Sequence, residues 1–244
     1  MPELAGVFPV LPTPFGSDGR PDEYALHRLA DFALESGADG IVYPGMASEV
    51  ETLTPEERAA LVSILGEHLR GRLPFIVGAS DPDPARAAER AREGAAHGAI
   101  AAMTMAPPRA GQDIPAQTAF FGAVAAACPI PIMLQNAPPP NGAGLAPAAI
   151  AAIVAEVPLI RFVKEETLPC GQHVSAILSS CAGKPPYHRL RADHRSRSAA
   201  RRRKPCWPPG PWPKRHSRQS RSCAAWCWSC SPSRRRLSGR VGRH

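Results

Sequence analysis

Lys164 closes an apolar run, Leu159-Ile160-Arg161-Phe162-Val163. Packing alone seldom puts a lysine in a buried strand. One reading is a stem that lies along the strand edge while the amine reaches water. The other is an amine that forms an imine with a carbonyl substrate. That chemistry needs a special setting, because a free lysine amine is almost wholly protonated at neutral pH. Burial or a neighbouring cation must help release the proton. Period-two alternation puts Glu166 on the same face as Lys164 and Glu165 on the other. A carboxylate in contact would hold the amine charged. Glu166 is therefore expected to stand back from Lys164 as a proton-transfer group, with a solvated loop acid as the alternative.

Other polar residues also fall just after apolar runs: Ser48-Glu49, Ser80-Asp81 and Gln135-Asn136. Arg109 follows another run and reads either as a contact for an anionic substrate or as a loop arginine. Asp81-Pro82-Asp83-Pro84 reads as a turn and helix cap. Pro138-Pro139-Pro140-Asn141-Gly142 reads as a rigid turn that shapes a pocket. His27, His68 and His97 lie in helical stretches and are expected at surface or satisfied positions. No metal or cofactor site is expected. Cys227-x-x-Cys230 is half a zinc motif without a second pair at matching spacing. Cys128, Cys170 and Cys181 do not form a disulfide framework, which suits a reducing, cytoplasmic compartment.

The elements that must carry these residues alternate. Candidate strands are Gly6–Val10, Gly40–Tyr43, Phe75–Gly78, Ala99–Met103, Ile132–Gln135 and Ile160–Lys164. Continuous apolar runs of this length suit strands covered on both faces. Candidate helices lie between and after them, at Asp22–Ser36, Thr54 to about Arg70, Pro84–His97, Pro115–Ala127, Pro147–Val154 and Gln172–Ser180. Thr54-Pro55-Glu56-Glu57 combines an N-cap, a first-turn proline and acids against the helix dipole. Repeated βα units argue for a parallel sheet, either doubly wound or a (β/α)8 barrel. No G-x-G-x-x-G follows the first strand, so the dinucleotide fingerprint is absent. The polar residues at strand ends suit the barrel, whose chemistry sits at the C-terminal ends of its strands. Six units are two short of closure.

The formal charge of +8 over 244 residues hides a division. Residues 1–182 hold 11 Lys+Arg against 20 Asp+Glu, a net −9. Residues 183–244 hold 18 basic residues against one acid, Asp193, a net +17. All four tryptophans and four of the seven cysteines lie in this tail, which lacks Ile, Phe, Met, Thr, Asn and Glu. A nucleic-acid-binding tail and a disordered arm are two readings. A third fits the composition better: GC-rich coding DNA read in a shifted frame, with the frameshift near Cys181 to Pro185. A nucleic-acid partner is not expected. No apolar stretch reaches the ~20 residues of a membrane helix, and the N-terminus lacks a basic signal opening. A membrane or secreted protein is not expected.

Four segments resemble one family in the right order. Gly6-Val7-Phe8-Pro9-Val10-Leu11-Pro12-Thr13-Pro14-Phe15 is similar to the first strand of the dihydrodipicolinate synthase / N-acetylneuraminate lyase family. Gly45-Met46-Ala47-Ser48-Glu49 with Leu53-Thr54-Pro55-Glu56-Glu57-Arg58 resembles its G-[ST]-T-G-E…L-[ST]-x-E-E-R segment. Met133-Leu134-Gln135-Asn136-Ala137-Pro138 resembles its Y-N-x-P strand, and Phe162-Val163-Lys164-Glu165 its [GI]-[IV]-K-[DE] strand. The resemblance covers about residues 5–182 and stops where the composition breaks.

The resemblance implies a (β/α)8-barrel lyase without a cofactor, homo-oligomeric (tetramer or dimer) when intact. Its lysine, Lys164 by position, makes an imine with a 2-oxo acid such as pyruvate. It implies that Gly45, Met46, Ala47 and Ser48 hold the substrate carboxylate through backbone N–H groups, with Asn136 also at the substrate. Two departures matter. Gln135 stands in place of the family's tyrosine and cannot act as an acid or base. Met46 and Ala47 stand in place of the hydroxyl pair, leaving Ser48 as one possible hydroxyl. An aldol synthase or sialic-acid lyase is therefore less well matched than the branch that dehydrates 2-keto-3-deoxy sugar acids. In that branch Glu166, Ser48 and a water would serve without tyrosine. Domain 1–182 is then a partial barrel and 183–244 a frameshifted, disordered tail. A barrel layer takes four side chains from alternate strands. Losing two strands forfeits roughly 5–9 kcal/mol of burial, against a whole-domain stability of about 5–15 kcal/mol. The chain as written is expected to be unstable, inactive or insoluble. Its alternative role is a 2-oxo acid binder without turnover.

Overall fold

The structure is a computed structural model in which residues 4–181 are described. The basic tail, its tryptophans, Cys227-x-x-Cys230 and nearly all of the proposed frameshift junction lie outside the described residues. Five parallel strands form one sheet in the order β1 (Ile41–Tyr43), β2 (Phe75–Gly78), β3 (Ala101–Met105), β4 (Ile132–Asn136) and β5 (Ile160–Glu165). Helix α1 (Glu23–Glu35) precedes β1. Helices α2 (Pro55–Leu69), α3 (Pro84–Ala96), α4 (Ile114–Ala127), α5 (Pro147–Glu156) and α6 (Cys170–Cys181) each follow a strand.

The helix starts obey their sequence signals. Asp22, Asp83 and Asp113 each accept a first-turn backbone N–H. Thr54 and Glu57 close a reciprocal capping box at 3.1 and 2.9 Å, which satisfies two donors the helix itself leaves free.

The two faces of the sheet distinguish a barrel from a doubly wound fold. Ile41, Tyr43, Phe75, Val77, Ala102, Ile132 and Leu134 pack in one core with helix residues such as Leu26, Leu65, Phe121 and Ile153. Val42, Ile76, Ala101 and Met103 form a second cluster, joined by Phe8, Val10, Met133 and Phe162 and by no residue of a helix. A doubly wound sheet would carry helices on both faces. One face under helices and one lined by strand side chains alone is the arrangement of a (β/α)8 barrel, here five strands of its wall.

The expected first strand, Gly6–Val10, is corrected. It contributes only an isolated parallel bridge, Val10 to Val42. Backbone bonds still tie the segment to β1: Asp39 N to Val7 O at 2.9 Å, Val42 N to Pro9 O at 2.9 Å and Leu11 N to Val42 O at 3.2 Å. Pro9 and Pro12 lack the N–H that a continuous ladder requires. Strand β3 also starts and ends two residues later than the apolar run Ala99–Met103 suggests, at Ala101–Met105.

Candidate active site

Gln135 on β4 pairs in register with Lys164 on β5, and Asn136 with Glu165. Met133 and Phe162 belong to the inner cluster, so alternation turns Gln135 and Lys164 inward and Asn136 and Glu165 toward the helices. Lys164 Nζ lies 3.0 Å from Glu166 Oε1. Gln135 Nε2 donates to Glu166 Oε2 at 2.6 Å. Glu166 is thus not set back from the amine, as the sequence led us to expect. Its backbone N–H donates to Asn136 O at 3.1 Å, which keeps the chain beside β4 after β5 ends. The carboxylate is thereby held between the amine and the amide. The Glu166 side chain is 13% exposed and that of Lys164 31%.

Glu165 anchors the opposite side. Its side chain is 1% exposed. It accepts Asn136 Nδ2 at 2.8 Å and Thr167 N at 2.7 Å, and the Thr167 hydroxyl also donates to it. With that proton spent, Thr167 Oγ1 accepts from His173 Nδ1 at 2.7 Å. Asn136 further donates to Leu145 O at 3.0 Å and accepts Leu145 N at 2.7 Å. Every polar group of the Asn136 side chain is used on the helix side. The expectation that it meets substrate is corrected: Asn136 fastens the 137–145 loop and the ends of β4 and β5.

After β1 the chain makes a tight turn over Met46–Ser48. Ser48 is fully buried. Its hydroxyl donates to Leu11 O at 2.5 Å and accepts Gly45 N at 2.8 Å. Thr13 Oγ1 donates to Ser48 O at 2.6 Å and accepts from Tyr43 OH at 3.0 Å. Burial pushes the Tyr43 hydroxyl pKa up, so it stays a neutral donor. None of these bonds reaches Lys164, Glu166 or Gln135. The hydroxyl of Ser48 pins the turn, and the N–H of Gly45 is spent on it. Met46 and Ala47 remain, with backbone N–H groups that meet no acceptor among the described residues. Gly78 permits this packing, because a Cβ there would stand 1.7 Å from Pro44 O.

A cavity of about 440 Å³ opens at the C-terminal ends of β1 to β4. Gly45, Met46, Met103, Met105, Arg109 and Gln135 are among the residues that line it. Lys164 does not line it; the Gln135–Glu166 bond links the cavity to the amine. Two cavity arginines are already engaged. Arg58 bonds Glu93 at 2.7 Å and Gly78 O at 2.6 Å, and burial lowers its pKa, helped by the like charge of Arg90. Arg90 pairs with Asp81 at 3.0 Å and donates to Ser80 O. No group of three His, Cys, Asp or Glu among the described residues could hold a metal ion. No helix among them is long and apolar enough to cross a membrane.

Sequence reading missed Arg58, the Tyr43–Thr13–Ser48 chain and the anchoring role of Asn136. Arg58 sits in a charged first helical turn, where a solvated arginine has the same local pattern.

A barrel wall with a lysine, an acid and an amide at the C-terminal ends of adjacent strands defines the class. Residues 3–180 match the Dihydrodipicolinate synthetase family, and the chain belongs to that family. A 4-hydroxy-tetrahydrodipicolinate synthase of Maridesulfovibrio salexigens is 34% identical over 176 residues, which cover 72% of this chain and 60% of that protein. An L-2-keto-3-deoxyarabonate dehydratase of Azospirillum brasilense is 34% identical over 170 residues, covering 68% of this chain and 54% of that protein. The solved 4-hydroxy-tetrahydrodipicolinate synthase from Methylacidiphilum fumariolicum SolV aligns with a TM-score of 0.66 at 26% identity, over 73% of this chain and 59% of its own. The chain therefore spans between half and two thirds of the length of these relatives.

Proposed function

We propose that this chain carries the imine-forming site of a lyase that dehydrates 2-keto-3-deoxy sugar acids. The observation that carries the reading is the contact of Lys164, Glu166 and Gln135. Lys164 is the nucleophile: its amine attacks the 2-oxo carbon and water leaves. Its ammonium first releases a proton to solvent, the two remaining amine protons leave with the carbonyl oxygen as water, and the imine nitrogen is protonated from solvent, with Glu166 Oε1 3.0 Å away. The protonated imine then draws electrons from C3. Glu166 removes the C3 proton and hands it to the C4 hydroxyl, which leaves as water as the C4–oxygen bond breaks. Hydrolysis of the imine consumes a water and frees the amine. Gln135 orients the carboxylate through its 2.6 Å bond and takes no proton itself. The free N–H groups of Met46 and Ala47 are proposed to receive the substrate carboxylate. The dehydratase is favoured over an aldol synthase because Gln135, Met46 and Ala47 bring no hydroxyl to the site.

A second reading, a 2-oxo acid binder without turnover, draws on the burial of Ser48, whose hydroxyl is spent on Leu11. Incubation with 2-keto-3-deoxyarabonate separates the two. Water loss that disappears in Lys164→Met supports the dehydratase. A trapped imine without product supports the binder. Aldol turnover of pyruvate with aldehydes and no dehydration would overturn the dehydratase reading. We further propose that residues 183–244 are the product of a shifted frame. Their composition and the end of the family match at residue 180 support it.

A further inference from the structure

Arg109 remains unexplained by the reaction. It lines the same cavity as Gln135 and bonds no acid among the described residues. The other two cavity arginines, Arg58 and Arg90, are each neutralised by an acid. The acids lining the cavity are Asp81, held by Arg90, and Glu51. The backbone that presents Arg109 is held firmly on both sides. Gln117, fully buried on α4, donates to Pro107 O at 3.1 Å and Gly111 O at 2.9 Å. Gln112 donates to Ala143 O and Gly144 O and accepts Ala146 N. Pro107 and Pro108 further limit the approach to the turn at Pro108–Ala110. A fixed loop that offers an uncompensated, permanently charged fork suits a carboxylate. It differs from an arginine on a free surface loop, whose backbone would have no such ties.

We propose that Arg109 recognises a second carboxylate, at the end of the substrate away from its 2-oxo acid, so that the preferred substrates are 2-oxo diacids. The inference rests on the proposed imine at Lys164. The test uses a matched pair of probes, 2-oxoglutarate and 2-oxopentanoate, which differ only in the distal carboxylate. Half-saturation for borohydride trapping on Lys164 is measured for each in the full chain. The diacid is expected to saturate at about tenfold lower concentration, the size of one charge-assisted hydrogen bond. The preference should shrink with added salt, since Arg109 is solvent-exposed. Arg109→Gln should abolish it and leave pyruvate and 2-oxopentanoate unchanged, while Arg109→Lys should keep part of it. Equal half-saturation of the two probes, with pyruvate still trapped, overturns this inference alone. A diacid preference that survives in Arg109→Gln also overturns it. Failure to trap any of the three acids overturns the imine reading, and this inference falls with it.

Discussion

Glu166 touches both Lys164 and Gln135, so its replacement should separate the steps of the reaction. Glu166→Gln keeps a side chain of the same size between the two partners but removes the proton acceptor. Exchange of the pyruvate methyl protons with D2O, followed by NMR, reports C3 deprotonation. We expect that exchange to fall by about 10²–10⁴-fold, the range for one general base, while imine trapping persists. Asn136 is a different kind of residue. Its side chain never meets the cavity but ties β4 to Glu165 and Leu145. Asn136→Ala leaves a buried carboxylate and two backbone groups short of partners. A stability loss of about 2–4 kcal/mol by urea denaturation is expected. A loss of trapping with unchanged stability would instead return Asn136 to the substrate.

At the scale of elements, most of the fold was legible. Two helix starts, at Thr54 and Asp83, carried their caps in plain sequence, and Phe75–Gly78 appears as read. The first strand was not, because apolar content says nothing of the N–H groups that prolines withhold. The shared face of Lys164 and Glu166 followed from alternation. The contact of Glu166 did not, because alternation gives a side and not a distance. The fate of Ser48 was equally hidden: its partners Leu11 and Gly45 are set by how the 6–13 segment lies on β1.

Arg58 joins α2, α3 and the end of β2 through Glu93 and Gly78 O. Arg58→Met should destabilise the chain by about 3 kcal/mol, because it strands a half-buried carboxylate and a carbonyl. On the outside, Asp31 of α1 meets His68 and Arg72, and those bonds hold its pKa below the ordinary carboxylate value. A group depressed on folding stabilises above its unfolded pKa and loses that contribution as pH falls through its folded one. The contribution of Asp31 should therefore be complete above about pH 4 and fade in more acidic solution. In Asp31→Asn, melting temperatures taken from pH 6 down to pH 3 should fall less steeply than in the parent. An identical slope would contradict the assignment.

For the whole molecule, the inner face is the thin part of the structure. Met133, Phe162 and Lys164 are only half-buried, and β5 pairs with β4 alone among the described residues. A low melting temperature is the expected consequence. The sequence alone argued further, for a chain too unstable to act. The described residues nevertheless assemble amine, acid, amide and cavity between Gly45 and Glu166, over a contiguous helix-covered core. The tail carries none of these groups. The DNA around codons 178–190, read in all three frames, should show the family pattern resuming in another frame. An uninterrupted frame with no such continuation would remove the frameshift proposal.

Full-length protein is incubated with pyruvate, reduced with borohydride, digested and mapped by mass spectrometry. A single reduced pyruvate adduct on Lys164 is expected, absent from Lys164→Met and present in Glu166→Gln. No adduct on correctly folded protein, or an adduct spread over surface lysines with Lys164 unmodified, would contradict it.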